Sequence, residues 1–276
     1  KYSFTKKDLK KKISNIKINN FVNKKFKGLT DRDSKRAHKQ KYFFDRYKLE
    51  KLFPQKKRHL VLFCPHVFSD SCSATGKFLY RDYFDYYIKT INILKKIEDI
   101  NWIIKMHPNR EFYNEYEVSK KFNDKIKSDN IQILSDKCNT LSVIKNVDAV
   151  VTAKGSIIIE ATALGKKVLA YKYNRFEKCN FFSKYSNEKE YFNKLKFKNF
   201  NFKVSRKDRE LARKLLYQYS LKAYKTNDNL LKDERNKTKK QLNQYYNNLL
   251  QTLKKNKNVI YESVYYRNLK KKVLSK

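Results

Sequence analysis

The sequence predicts an α/β fold: a parallel sheet with flanking helices, extended at both ends by basic helices. Three observations lead there. Short apolar runs alternate with stretches of helical spacing, five times over and at short intervals. The runs are continuous rather than alternating in polarity, as strands buried on both faces require. Apolar residues also concentrate between about residues 59 and 171, and both flanks are much more polar.

Residues 1–58 are basic and weakly periodic, with helical pieces expected around 6–16 and 34–52 and a break near Gly28. Pro54 marks the boundary before the sheet. HLVLFCPHVF (59–68) reads as a buried strand feeding the loop FSDSCSATGKF (68–78), which is rich in Ser, Asp, Thr and Gly. DYFDYYIKTINILKKIED (82–99) has helical spacing. NWIIKM (101–106) is the second strand, closed by His107-Pro108-Asn109 because proline stops a strand and biases the preceding residue to an extended backbone. A polar helix is expected at about 111–123, a strand at 131–134, a short helix at 141–147 and a fourth strand at 148–153. Gly155-Ser156 opens the helix IIIEATAL, Gly165 ends it as a C-cap, and KVLAYK (167–172) is the fifth strand. Beyond 172 the chain turns basic and aromatic, and helical spacing returns at about 206–225 and 228–256, on helices expected to lie outside the domain. This divides the chain into a basic N-terminal segment (1–58), a Rossmann-like domain (59–200) and basic C-terminal helices (201–276).

The 66 Lys and Arg against 27 Asp and Glu give a net charge of +39. Codon bias is the leading account, because Lys, Asn, Ile and Tyr are the amino acids of A/T-rich codons and dominate here. Attraction to an anionic membrane face or substrate comes second. Nucleic-acid binding comes third, since the lysines spread along the whole chain and no RNA- or DNA-binding motif stands out. At 40% hydrophobic the chain can bury a real core, which argues against wholesale disorder. Cys64, Cys72, Cys138 and Cys179 show no CxxC spacing, so neither zinc nor a disulfide framework is indicated and a reducing cytoplasm fits. No apolar run is long enough to span a membrane, and the first residues lack the apolar core of a signal peptide.

Ligands of a parallel α/β sheet bind at the carboxyl ends of its strands. That rule selects the loops 65–76, 107–110 and 153–156 and the one after Tyr171. In Ala153-Lys154-Gly155-Ser156 a glycine at a strand-to-helix turn lets a phosphate approach the backbone, Ser156 adds a donor, and Glu160 lies one turn on, where it could accept from ribose hydroxyls. The alternative is an ordinary serine N-cap with a solvent-facing glutamate. In Lys105-Met106-His107-Pro108 the histidine is held at a strand end, where it could donate to a phosphate or protonate a leaving oxygen, unless it is a satisfied structural histidine. In His66-Val67-Phe68-Ser69-Asp70-Ser71, Asp70 could be a base or orient His66, or the polar residues could cap the turn. No GxSxG elbow supports a hydrolase, and a metal held by two histidines and an aspartate is a minor alternative.

Together, "HVFSDS…DYFDYYIKTI", "WIIKMHPN" and "DAVVTAKGSIIIEATALGKKVLAY" resemble the C-terminal half of bacterial capsule and lipopolysaccharide glycosyltransferases of GT-B type, most nearly the Kdo-transferase-like capsule biosynthesis proteins. The His-Pro pair and the serine-bearing helix start are similar also to those of GT-B sialyltransferases and of teichoic-acid glycerophosphotransferases. The resemblance covers about 59–175. It implies a metal-independent transferase with no cofactor beyond its co-substrate, a nucleotide-activated, for instance CMP-linked, sugar. The acceptor would be a growing or lipid-linked glycan at the inner membrane face. It implies further that His107 meets the donor phosphate or acts as general acid, that Gly155, Ser156, Lys105, Ser69 and Ser71 belong to the phosphate site, that Glu160 holds the ribose, and that His66 and Asp70 stand near the reacting sugar. A GT-B enzyme has two similar domains, and only about 58 residues precede the sheet here, so a first domain is expected to be absent or reduced and the catalytic base is left open. Two rivals stay open: a glycerophosphate or other phosphoryl-linked transferase, and a non-catalytic polyanion- or nucleic-acid-binding module.

Overall fold

A computed structural model describes residues 4–70, 72, 77–110, 115–225, 244 and 247. By its contacts the chain forms two compact units, Lys1–Tyr219 and Ser220–Lys276. Four helices precede the sheet: α1 (Lys6–Lys10), α2 (Asn15–Phe26), α3 (Arg32–His38) and α4 (Arg46–Glu50). Then strands and helices alternate: β1 (His59–Cys64), α5 (Tyr83–Leu94), β2 (Ile100–Ile104), α6 (Tyr116–Asn123), β3 (Ile131–Ile133), α7 (Thr140–Asn146), β4 (Ala149–Thr152), α8 (Ile157–Ala163) and β5 (Lys167–Tyr171). The chain continues with β6 (Ser183–Tyr185), α9 (Glu188–Leu195) and α10 (Arg206–Lys225).

Five of these helices start where an Asp or Asn side chain accepts from the backbone N–H three residues on. Asp31, Asp45, Asp82, Asn139 and Asn187 cap α3, α4, α5, α7 and α9 in this way. Each cap satisfies a donor that the helix leaves orphaned, worth about 1 kcal/mol. α8 ends in a Schellman motif: Lys166 N–H donates to Ala161 O and Gly165 N–H to Thr162 O, with Gly165 at φ +82°. Gly165 is therefore the expected C-cap.

The sheet is all parallel, in the order β3-β2-β1-β4-β5-β6. Alternation along each strand sends side chains to opposite faces. From β1, Leu60 and Leu62 enter the core shared with α2, α7, α8 and α10, whereas Val61 and Phe63 enter the core under α5 and α9. Trp102, Ile104, Val151 and Leu169 extend the second core, and Ile103, Val150 and Val168 the first. Each such buried side chain contributes roughly 1.5–3 kcal/mol. The chain moves outward from β1 to β3, returns beside β1 as β4, and then moves outward the other way. The topological switch point thus lies between β1 and β4, where a doubly wound sheet leaves a crevice.

The α/β class, the parallel sheet and the first five strands follow the sequence reading. A sixth strand, β6, and the helix α9 stand where the reading had only a basic aromatic stretch. Three-residue β6 is too short to give a periodic signal, and its Tyr185 is buried against Tyr191 of α9, with ring centroids 4.2 Å apart. The N-terminal helices also differ from expectation. α2 was not foreseen, and the helix expected over 34–52 is two helices separated by a segment that runs beside the loop before α7, where Asn139 N–H donates to Tyr42 O. Phe4, Val22, Phe26 and Leu49 from residues 1–58, and Leu215 and Leu216 from α10, are buried in the same core as β1. The further helix expected at about 228–256 lies outside the described residues, apart from helical Gln244 and Asn247.

Candidate functional site

The carboxyl ends of β1, β2 and β4 bring together three of the loops selected from sequence. Past β1, the His66 ring stacks on Tyr83 at 4.2 Å between centroids and lies 5.5 Å from the His107 ring that follows β2. His66 Nδ1 is 3.6 Å from Asp70 Oδ2. Burial lowers the His66 pKa, and Asp70 opposes the shift. Burial pushes His107 down to about 3, with His66 and Lys105 adding to the shift. Asn109 N–H donates to His107 Nδ1 at 3.2 Å, so the neutral ring carries its proton on Nε2. His107 in this structure is therefore a neutral hydrogen-bond donor. Proton transfer from an imidazolium, as expected of a general acid, needs an anion beside it to offset burial. Face-to-face imidazoles do not aim their nitrogens at one ion. Among the described residues no group of three or more His, Cys, Asp or Glu side chains is placed to hold a metal.

Two buried charges that the sequence did not single out hold the loop after β1. Glu115 accepts from Phe68 N–H at 2.9 Å and from both the N–H and the hydroxyl of Ser69 at 2.5 Å. Lys154 Nζ donates to Cys72 O at 3.0 Å and Lys77 O at 3.3 Å, and lies over the rings of Phe78 and Tyr171. Nothing local in the sequence marks either residue: their partners are 46–47 and 77–82 positions away. Ser69 was expected among the phosphate ligands, but here its one hydroxyl proton goes to Glu115. Ser71, expected beside it, lies outside the described residues.

At the β4 turn Gly155 has φ +115°, a conformation that favours glycine, and a Cβ built there would meet no atom within 4 Å. Its hydrogen-for-side-chain economy thus serves the backbone conformation and leaves the turn open on that side. Ser156 has helical angles and makes no side-chain cap, so the ordinary N-cap reading does not hold. Lys105 is buried, and burial lowers the pKa of its ammonium, with Cys138, Asp136 and Cys64 opposing the shift.

Glu160 is not solvent-facing. It is 7% exposed and faces α2 and α3, with Lys25 Nζ at 3.9 Å and His38 Nε2 at 4.0 Å. Lys25 also binds Asp31, the α3 cap, at 3.1 Å. Both partners come from the segment before the sheet.

The arrangement defines a doubly wound α/β domain whose polar and titratable groups gather at the switch point. The family model described as "Capsule polysaccharide biosynthesis protein" matches residues 8–179, and the chain belongs to that family. This agrees with the resemblance read from the motifs, and the match takes in most of the N-terminal segment as well. No curated protein sequence matches the chain. Among solved structures, the chain is similar to Thermosulfurimonas dismutans KpsC, titled a beta Kdo 2,4 transferase, at 10% identity and TM-score 0.39, covering 75% of this chain and 56% of that one. It is similar also to the pneumococcal O-GlcNAc transferase GtfA, at 12% identity and TM-score 0.35, covering 67% of this chain and 37% of that one. A third is AviGT4, a glycosyltransferase involved in avilamycin A biosynthesis, at 10% identity and TM-score 0.32, covering 71% and 61%. The chain thus spans less than two thirds of each of these proteins, and likenesses this distant assign no role to any residue.

Proposed function

We propose that this chain is the donor-binding part of a GT-B glycosyltransferase of capsule polysaccharide synthesis, and that it takes a nucleotide-activated sugar as co-substrate without a metal or other cofactor. The observation that carries the proposal is that His66, Lys105, His107 and the open Gly155-Ser156 turn follow the carboxyl ends of the neighbouring strands β1, β2 and β4, at the switch point of a family member's sheet. In this reading the Ser156 hydroxyl and the Lys105 ammonium meet the donor phosphate. Neutral His107 donates from Nε2 to the same group, and charge developing on the leaving phosphate is stabilised by these donors. Bound phosphate also offsets the burial that keeps His107 neutral, which opens a route to proton donation. Asp70 and His66 stand toward the reacting sugar, and the sugar passes to a growing or lipid-linked glycan. The basic surface would hold the protein at the anionic inner membrane face. Among the described residues no helix is long and apolar enough to cross a membrane.

Thermal-shift measurements with CMP-, CDP- and UDP-linked sugars test the reading. One nucleotide series should raise the melting temperature, and the rise should vanish in Ser156→Ala and Lys105→Met. No shift with any of the three would overturn it. A glycerophosphate transferase would respond instead to CDP-glycerol.

A further inference from the structure

The loop after Tyr171, at the carboxyl end of β5, borders a cavity of about 380 Å³ whose walls include Lys172, Phe182, Lys184, Tyr185, Glu190 and Lys194. That volume is in the range of small-molecule sites. Lys172 and Asn180, which also lines it, are exposed, so the cavity opens to solvent. Its polar groups are held in place. Lys184 Nζ donates to Glu177 O at 2.8 Å and to Asn180 Oδ1 at 3.3 Å. Lys194 Nζ donates to Glu190 Oε1 at 2.7 Å and to the backbone carbonyl of Lys184. Glu190 Oε2 accepts from the N–H and the hydroxyl of Ser186 at 2.7 and 2.8 Å. The carboxylate of the lining is thus spent on Lys194 and Ser186. Lys172 is fixed through its backbone, whose N–H donates to Tyr185 O at 2.8 Å, while its ammonium stands 5.6 Å from the Tyr173 ring. Among the described residues neither Lys172 nor Lys184 has a carboxylate within ion-pair distance. Burial lowers the pKa of Lys184 and Lys172 adds to the shift, with Cys179 and Glu177 opposing it. Two like charges at one open cavity repel, and an anion between them removes that cost.

We infer that this cavity binds the carboxylate of an acidic sugar, held between the ammoniums of Lys172 and Lys184. The inference rests on the glycosyltransferase reading only in taking the ligand to be a sugar. The lining contains no arginine, so it offers point charges and not the fork that grips a phosphate in two places. The adjacent helix start is no phosphate site either. Asn187 accepts from Glu190 N–H and Glu190 from Ser186 N–H, which uses the donors that a phosphate would need there. Phe182 and Tyr185 give the cavity apolar walls, and Lys184 Nζ lies 5.3 Å from the Phe182 ring. β6 stands two strands from β4, about 10 Å across the sheet. A sugar in the cavity is therefore close to a donor phosphate at the β4 turn. The acid can belong to the donor sugar or to the glycan that receives it.

Calorimetric titration of the full chain at about 0.15 M salt tests the assignment with two pairs of ligands. An oligosaccharide carrying glucuronic acid is compared with the same oligosaccharide after reduction of its carboxyls to alcohols, which reports an acid of the glycan. UDP-glucuronic acid is compared with UDP-glucose, which reports an acid of the donor. In one pair or the other the acidic member should bind the wild type about tenfold more tightly. Lys172→Glu should abolish that preference. Lys145→Glu makes the same change of net charge on an exposed lysine of α7, in the turn that leads into the amino end of β4, and should leave the preference within about twofold. Equal losses in the two variants would show mere attraction to a chain of net charge +39 and refute the site. So would a wild type with no preference in either pair. Inorganic phosphate that displaces the acidic sugar at equal concentration would overturn the choice of a carboxylate. The oligosaccharide pair contains no nucleotide, so a preference there stands even if no nucleotide shifts the melting temperature and the donor-binding reading falls. Thermal scans report folding, and if Lys172→Glu does not fold, Lys172→Gln carries the same comparison.

Discussion

A neutral histidine at the switch point has a thermodynamic signature that does not depend on activity. His107 is held at about 3 in the folded chain, against about 6.5 when solvated. The unfolded chain therefore binds more protons between those values, and stability rises with pH across that interval. The contribution is fully present above the unfolded value and drains away as pH falls toward the folded one. Between about pH 7 and pH 4.5 the loss integrates to ~2.5 kcal/mol. This figure barely depends on how far below 4.5 the folded pKa lies, because the unfolded histidine is the group that titrates there. The titratable groups that act on His107 are His66 and Lys105, both of which push its pKa down further. The perturbation is His107→Gln, which keeps a hydrogen-bonding side chain and removes the titration. Urea unfolding of both proteins at the two pH values gives four free energies. Comparing each protein with itself cancels any cost of the substitution. The wild type should lose ~2.5 kcal/mol more than the variant on acidification. Equal losses would show that His107 protonates freely in the folded chain, and the neutral-donor account of the site would fall.

Two further outcomes follow from the geometry. Glu115→Ala removes the acceptor for Phe68 N–H and for both Ser69 donors. Native-state hydrogen exchange at those two amides should quicken by an amount equivalent to about 2–3 kcal/mol, with Glu115→Gln in between, and unchanged exchange would show that the loop is held by something else. If the basic surface holds the protein at a membrane, co-sedimentation with vesicles containing anionic lipid should disappear at about 1 M salt and be absent with neutral vesicles. Salt-independent recovery would exclude attachment by charge.

The two glycines of the stretch VVTAKGSIIIEATALGKKVLAY illustrate what was legible. Gly165 as a helix stop and Gly155 as the turn residue could both be read from local sequence, because φ above zero is a local demand that glycine meets most cheaply. The caps at Asp31, Asp45, Asp82, Asn139 and Asn187 are likewise local, each spanning three residues, and could have sharpened the helix starts. Glu160 is the contrary case. Its place in an apolar helix was plain, but its partners Lys25 and His38 lie more than a hundred positions earlier, on helices whose role in the core no periodicity revealed.

By itself, then, the sequence determined the parallel α/β architecture, the first five strands, and the loops in which His66, His107 and Ser156 stand. Continuous apolar runs and strand-end rules suffice for those. Only the tertiary structure decided that residues 4–53 build one wall of the core, that Glu115 and Lys154 hold the loop after β1, that the Ser69 hydroxyl donates a hydrogen bond to the Glu115 carboxylate, and that Glu160 faces His38. The physical reason is that apolar patterning sets which face of an element is buried. The partner of a buried charge depends on which distant elements pack against that face, and that is settled only when the chain closes on itself.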